Sequence, residues 1–267
     1  MQQHPQWFPA AYLEAEPMAE LVIALAERSG SRLVMLPFDY MAEAESMGAK
    51  VTGLQDVFGL RADGKLLTEI DGLAALPRLN FQKGRLSVIL QALSLVAAKG
   101  YTPCLNISGF LAVADVLLSL EKVFTGWYRE KEALLAFFHR YAEDLTEFVC
   151  LGLAAGAKVI SYSDPLADVA MIGPKMAKEL AKSVLLPFLR QLQALPAKGV
   201  VHICGVSSST LLTADGVELV PYSLSVPQRY QEAVIAYAES CENMDLLAWG
   251  CLNRRTTVYQ LYQVQIK

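Results

Sequence analysis

Three side chains stand out for chemistry: His202 and Cys204, separated only by Ile203, and Cys251 much later in the chain. Ala197–Gly205 is an apolar run that follows Pro196, passes a Lys198-Gly199 turn and stops at Gly205, the pattern of a buried strand. On a strand, residues two apart point to one face. His202 and Cys204 therefore project together, while Ile203 points the other way. An imidazole beside a thiolate is a donor pair that suits zinc. Leu246–Cys251 is a second apolar run, and it too ends in cysteine. Two ligands from one strand and one from another leave a coordination position open, as catalytic rather than structural zinc sites do.

The plainer alternative is that these are core residues. Cysteine is among the most buried residue types, and a lone strand histidine is ordinarily packed and hydrogen-bonded. No Cys-x-x-Cys pair strengthens the metal reading. The remaining cysteines read as bystanders. Cys150 reads as a core position of a helix. Cys104 lies inward near a strand start, and Cys241 sits on a helix beside Glu239 and Glu242. Five widely spaced cysteines do not form a disulfide framework, and a reducing cytoplasm is the expected compartment.

Such a site needs a scaffold. Short apolar strands alternate with amphipathic helices along the chain. Strands are expected at Arg32–Asp39, Thr102–Ser108, Lys158–Asp164, Ala197–Gly205, Gly216–Tyr222 and Leu246–Cys251. Helices are expected at Glu14–Arg28, Met41–Met47, Leu86–Lys99, Phe110–Glu121, Glu130–Gly156, Lys175–Leu195 and Pro227–Glu242. Gln55–Lys83 is polar and ambiguous, and Tyr259–Ile266 reads as a short apolar tail. This alternation means a parallel sheet, and the number of units favours a (β/α)8 TIM-type barrel in one domain spanning residues 1–267. Barrel active sites lie at the C-terminal ends of strands, where Asp39, Ser108, Asp164, Cys204 and Cys251 fall. Counting back by two makes Pro37, Asn106, Tyr162, His202 and Trp249 the inward partners. Asp164, and still more Asp39 and Ser108, fit ordinary turn and capping roles as well.

Composition narrows the partners. With 54% hydrophobic and 19% charged residues, 267 residues are enough to bury one large core. A net charge of −4 argues against nucleic acid as a partner. The mean hydropathy of +0.31 prompts a search for membrane spans. Leu86–Ala98 is too short, and Phe148–Ile160 is broken by Lys158, so no membrane segment is expected. The N-terminus lacks the basic and long apolar regions of a secretory signal.

These residues resemble the superfamily of uroporphyrinogen decarboxylase and the corrinoid-dependent methyltransferases, the methyltransferase branch above all. The matching pieces are His202-Ile203-Cys204-Gly205, Gly250-Cys251, Asp164-Pro165-Leu166-Ala167, and Leu36-Pro37-Phe38-Asp39 with Glu43–Gly48. The resemblance implies a barrel, zinc held by His202, Cys204 and Cys251, and methyl transfer between a corrinoid and a thiol such as coenzyme M. It also implies a corrinoid-carrying protein as partner. In that scheme Asp164 orients substrate or a zinc-bound group, Asn106 lines the cofactor pocket, and Arg254 and Arg255 meet an anionic group. The family has a longer N-terminal region, so the first barrel strand is either missing here or replaced by Gln2–Ala11. An uncovered sheet edge would then favour a homodimer. A decarboxylase-like enzyme and a non-catalytic corrinoid-binding relative are the alternatives. The decarboxylase's N-terminal Arg-Gln-Ala-Gly-Arg segment is absent, and that reading leaves Cys204 and Cys251 without a role.

Overall fold

The computed structural model describes residues 7–54 and 59–267; Gln55–Phe58, within the ambiguous polar stretch, and the first half of Gln2–Ala11, through Gln6, lie outside the described residues. Helices α1 (Ala10–Leu13) and α2 (Ala15–Ser29) lead into strand β1 (Leu33–Leu36). α2 carries Pro17 in its first turn, where a missing N–H costs nothing, and stops at Gly30 with φ of 65°. Then come α3 (Ala42–Ser46), a small hairpin of β2 (Val51–Thr52) and β3 (Arg61–Ala62), and a 3-10 turn at Ile70–Ala75. Next are α4 (Gly84–Ala98), β4 (Thr102–Ser108), α5 (Phe110–Leu117), α6 (Leu120–Arg129), α7 (Lys131–Ala154) and β5 (Val159–Ser163). α8 (Val169–Leu180) continues through a π turn into α9 (Leu186–Gln193). The chain ends with β6 (Gly199–Cys204), α10 (Gly205–Leu211), β7 (Val217–Arg229), α11 (Tyr230–Ser240), β8 (Met244–Gly250) and β9 (Thr257–Ile266).

The main sheet runs β1-β4-β5-β6-β8-β9-β7. Its first five strands are parallel, and β9 and β7 are antiparallel additions at one edge. The α/β architecture with a mostly parallel sheet is therefore as expected. Among the described residues no ladder joins β7 back to β1, so the hydrogen-bonded strands form an open run.

The two faces of this sheet differ. Val34, Leu105, Ile107, Ile160, Tyr162, Val201, Ile203 and Leu246 pack in one large cluster with α2, α4, α5, α7, α8 and α9. Leu33, Cys104, Val159, Val200 and Leu247 face a smaller cluster built by α11 through Ala233, Val234, Ile235, Tyr237 and Ala238. An eight-stranded barrel interior has room for side chains only. Here that face is occupied by a helix.

Several expectations need correcting. Phe110–Glu121 is not one helix: Leu118 is extended and Ser119 starts α6, its hydroxyl accepting the Lys122 N–H. The helix before the His202 strand starts earlier than Lys175, at Val169, with a kink at Gly173-Pro174. Pro227, Gln228 and Arg229 belong to β7 rather than to the helix that follows. The segment read as a tail is strand β9. Its buried residues Val258, Leu261 and Val264 recur every third position, so no period-2 signal marked it. Cys150 is exposed, off the buried stripe of α7 that runs through Phe148 and Val149 to Gly152. No helix among the described residues is long and apolar enough to cross a membrane.

Candidate functional site

Parallel registry decides which residues meet. Asn106 pairs with Ser161, Ser161 with His202, and His202 with Leu247. Paired residues on neighbouring strands share a face, so Asn106, Ser161 and His202 form a buried polar row beneath α11. Tyr162 does not join them. It lies on the opposite face against Phe110 and Phe188, because β5 ends at Ser163 and the inward phase falls on Ser161 and Ser163. Counting back from Asp164 started one residue too late.

His202 is buried, and its Nε2 lies 2.9 Å from the Tyr230 hydroxyl at the start of α11. Its Nδ1 has no hydrogen-bond partner. Burial lowers its pKa to about 4, which keeps the ring neutral. Burial also pushes the Tyr230 phenol well up, with Arg254 opposing and Cys251 and Cys204 adding to it. Tyr230 is thus within electrostatic reach of both candidate sulfurs. It also fills the space over Gly250, where an added Cβ would sit 1.8 Å from its hydroxyl.

Cys204 ends β6 half-buried, paired across the sheet with Gly250. Cys251 follows Gly250 directly and is exposed. The two cysteines, almost fifty residues apart in the chain, therefore stand on facing strand ends. This pairing contains an irregularity. His202 pairs with Leu247 and Cys204 with Gly250, so β8 spends one residue more than β6 over the same step. That is a bulge, and Trp249 within it takes a φ of 66°.

Asp164 is fully enclosed. Its two oxygens accept the Leu111 and Ala112 N–H groups at 2.8 and 3.1 Å, at the first turn of α5. Desolvation by burial raises its pKa to about 6 against those bonds. An added Cβ on Gly109 would sit 2.2 Å from Asp164 Cβ, so only glycine admits the carboxylate there. Asn106 is buried with its Oδ1 unpartnered. It lines a cavity of about 420 Å³ together with Met35, Tyr40, Gln231, Asn253 and Arg255.

Reasoning from sequence missed two participants. Tyr230 carried no motif. Ser208, in the Ser207-Ser208-Ser209 run, was passed over, although three successive hydroxyls directly after a His-x-Cys-Gly segment were a usable sign. Ser207 bonds both the Asp164 N–H and its carbonyl, at 3.0 and 3.1 Å. Ser209 accepts the Val169 N–H.

As a donor set, two cysteines and a neutral imidazole with a free nitrogen fit zinc. Their spacing does not yet fit: among the described residues, no three His, Cys, Asp or Glu side chains converge closely enough to hold a metal ion. Tyr230 accounts for part of this, since its hydroxyl holds the Nε2 of His202.

The chain is similar to several known proteins. The chain is 28% identical over 235 residues to the methylcobamide:CoM methyltransferase MtaA of Methanosarcina barkeri, covering 85% of this chain and 66% of the relative. It is 25% identical over 237 residues to MtbA of Methanosarcina mazei, covering 86% and 68%. A solved methyltransferase structure from Methanosarcina mazei superposes with a TM-score of 0.62 at 26% identity, over 76% of this chain and 60% of that one. The chain thus spans about two thirds of the length of the MtaA it matches. A family model described as uroporphyrinogen decarboxylase (URO-D) matches residues 1–221, most of the chain, and on that ground the protein belongs to the uroporphyrinogen decarboxylase family.

Proposed function

We propose that this protein moves a methyl group between a corrinoid, delivered on a partner protein, and a small thiol of the coenzyme M type. The observation that supports this reading is the pairing of Cys204 with Gly250, the residue just before Cys251, at the C-terminal ends of parallel strands. His202 stands two residues back, neutral and with an orphaned nitrogen. The names of the relatives, methylcobamide:CoM methyltransferases, supply the substrate classes.

In this reading His202, Cys204 and Cys251 would hold zinc, which as a Lewis acid keeps an acceptor thiol deprotonated near neutral pH. The chain's own residues supply the rest. Burial holds His202 in the unprotonated form that can donate a lone pair. Tyr230 must release Nε2, or the ring must use Nδ1, for the three donors to converge. Asn106 and Arg255 line the cavity next to this row and would bind the polar end of the acceptor, Arg255 matching a sulfonate in charge and fork geometry. Asp164 acts indirectly, by fixing the start of α5 to the end of β5. The full (β/α)8 barrel is the finer fold reading. Five parallel strands with helices outside support it, and it requires α11 to leave the inner face and strands to bridge β1 and β8.

The non-catalytic alternative draws on the hydrogen bond between Tyr230 and His202 and on the unconverged donors. Elemental analysis of the purified protein, with a methylcobalamin-plus-thiol assay run on coenzyme M and homocysteine, separates the two. Stoichiometric zinc and thiol methylation are expected. Absence of zinc together with activity that survives Cys204→Ala overturns the mechanism.

A further inference from the structure

We infer that Ser208 is a positioning residue: it locks the bulge of β8 in place and so sets Cys251 beside Cys204. This inference rests on the functional reading only for its purpose, since the placement itself is read from hydrogen bonds.

An unbroken ladder from His202 and Leu247 would set Cys204 opposite Trp249, and Cys251 two positions beyond. The extra residue in β8 brings Gly250 opposite Cys204 instead and draws Cys251 one position closer. The arrangement has two energetic costs. Trp249 takes a left-handed backbone conformation that a large side chain rarely adopts. Its N–H, displaced from the ladder, also needs an acceptor.

Ser208 meets the second need. Its hydroxyl oxygen accepts the Trp249 N–H at 3.0 Å. The same oxygen lies 2.9 Å from the Cys204 carbonyl and 3.2 Å from that of Ile203, to which it donates its hydrogen. One fully buried hydroxyl thus ties the last residues of β6 to the bulge of β8. Gly205 packs at the same joint, where an added Cβ would sit in ordinary contact with the Gly250 carbonyl oxygen at 3.4 Å. The side chain of Trp249 is 51% exposed. Its backbone conformation, not its ring, matters here.

The test measures the placement of the sulfurs rather than turnover. Phenylarsine oxide bridges two neighbouring thiols, forming two As–S bonds and releasing its oxygen as water. Peptide mass spectrometry then reads the yield of the Cys204–Cys251 bridge. The wild-type protein should form it. Ser208→Ala should lower the yield about tenfold, the scale of one lost buried hydrogen bond, and Ser208→Thr, which keeps the hydroxyl, should restore it. Because a buried serine change can cost folding, a second pair probes an exposed position. Trp249→Gly accepts the positive φ and should keep the bridge, whereas β-branched Trp249→Val resists it and should lose it. A wild-type protein that forms no bridge overturns the inference, as does equal bridging by Ser208→Ala or by Trp249→Val. Zinc content, measured on the same preparations, answers the separate question: a bridge that depends on Ser208 in a protein that binds no zinc keeps this inference and sinks the functional reading.

Discussion

The strand ends of β4 and β5 and those of β6 and β8 are both polar rims at the same end of one sheet, and they treat their polar atoms in opposite ways. At the first rim the final residues are answered, although Asn106, two positions back on β4, keeps an unpartnered oxygen. Asp164 receives two backbone N–H groups, and the Ser108 N–H and hydroxyl both go to Glu43 at 2.8 Å. The Tyr141 hydroxyl caps the Ser108 carbonyl. At the second rim His202 keeps an unused nitrogen, Cys251 stands in solvent, and Trp249 holds a strained backbone. Saturated internal bonding builds a structural joint, whereas unspent donors and local strain mark a place kept for something external. The same residue class, polar and at a strand end, therefore serves two purposes, and burial alone does not tell them apart.

The largest effect expected from this contrast falls on the second rim. Cys204→Ala or Cys251→Ala should abolish zinc binding and thiol methylation together while leaving the unfolding midpoint, compared in the metal-free state, close to that of wild type, since neither side chain is fully buried. Elemental analysis and thermal denaturation check both halves, and a large loss of stability would show that these cysteines are structural.

The mirror-image prediction concerns Asp164. Asp164→Ala leaves two buried N–H groups without an acceptor and should cost about 2 kcal/mol. Zinc content should be unchanged. Chemical denaturation measures the first, and a variant that keeps its stability but loses zinc would move Asp164 to the functional rim.

A pH dependence sharpens the same contrast. The folded-state pKa of Asp164 is raised, to about 6 against 3.8, so the folded protein binds the extra proton more tightly than the unfolded chain does. Its stabilising contribution is therefore fully present below about pH 4 and is lost as pH rises to about 6, by up to about 3 kcal/mol. Asp164→Asn has no such titration. The stability difference between wild type and Asp164→Asn should shift in favour of wild type as pH is lowered through this window, as urea titrations at stepped pH would record. A flat difference would mean the carboxylate is less buried than its surroundings imply.

The smallest effect belongs to Cys150. Cys150→Ser, on the solvent side of α7, should change stability by less than about 0.5 kcal/mol and leave zinc and activity intact. It serves as the control for any thiol-directed reagent.

Much of this molecule could be read from its residues, because the relevant signals are local. The strand at Thr102–Ser108 matches to the residue, and α2, α4 and α7 differ from expectation by one or two positions. His202, Cys204 and Cys251 are marked as candidates by residue type and period together with the family resemblance. Other features had no local signature. β9 is a strand because β7 and β8 offer it partners, not because its sequence alternates. The facing of Tyr162 away from the row followed from registry with Ser161 and His202, which is a property of three strands at once.

The sequence by itself determined the alternation of strands and helices, the parallel sheet, and the identity of the residues with chemical reach, since hydrophobic period and residue chemistry act over a few positions. Only the tertiary structure decided that α11 covers the inner face, that Tyr230 holds His202, and that one extra residue in β8 brings Cys251 toward Cys204. Those outcomes depend on which backbones lie side by side, and strand registry is settled by the packing of the whole sheet rather than by any short stretch of chain.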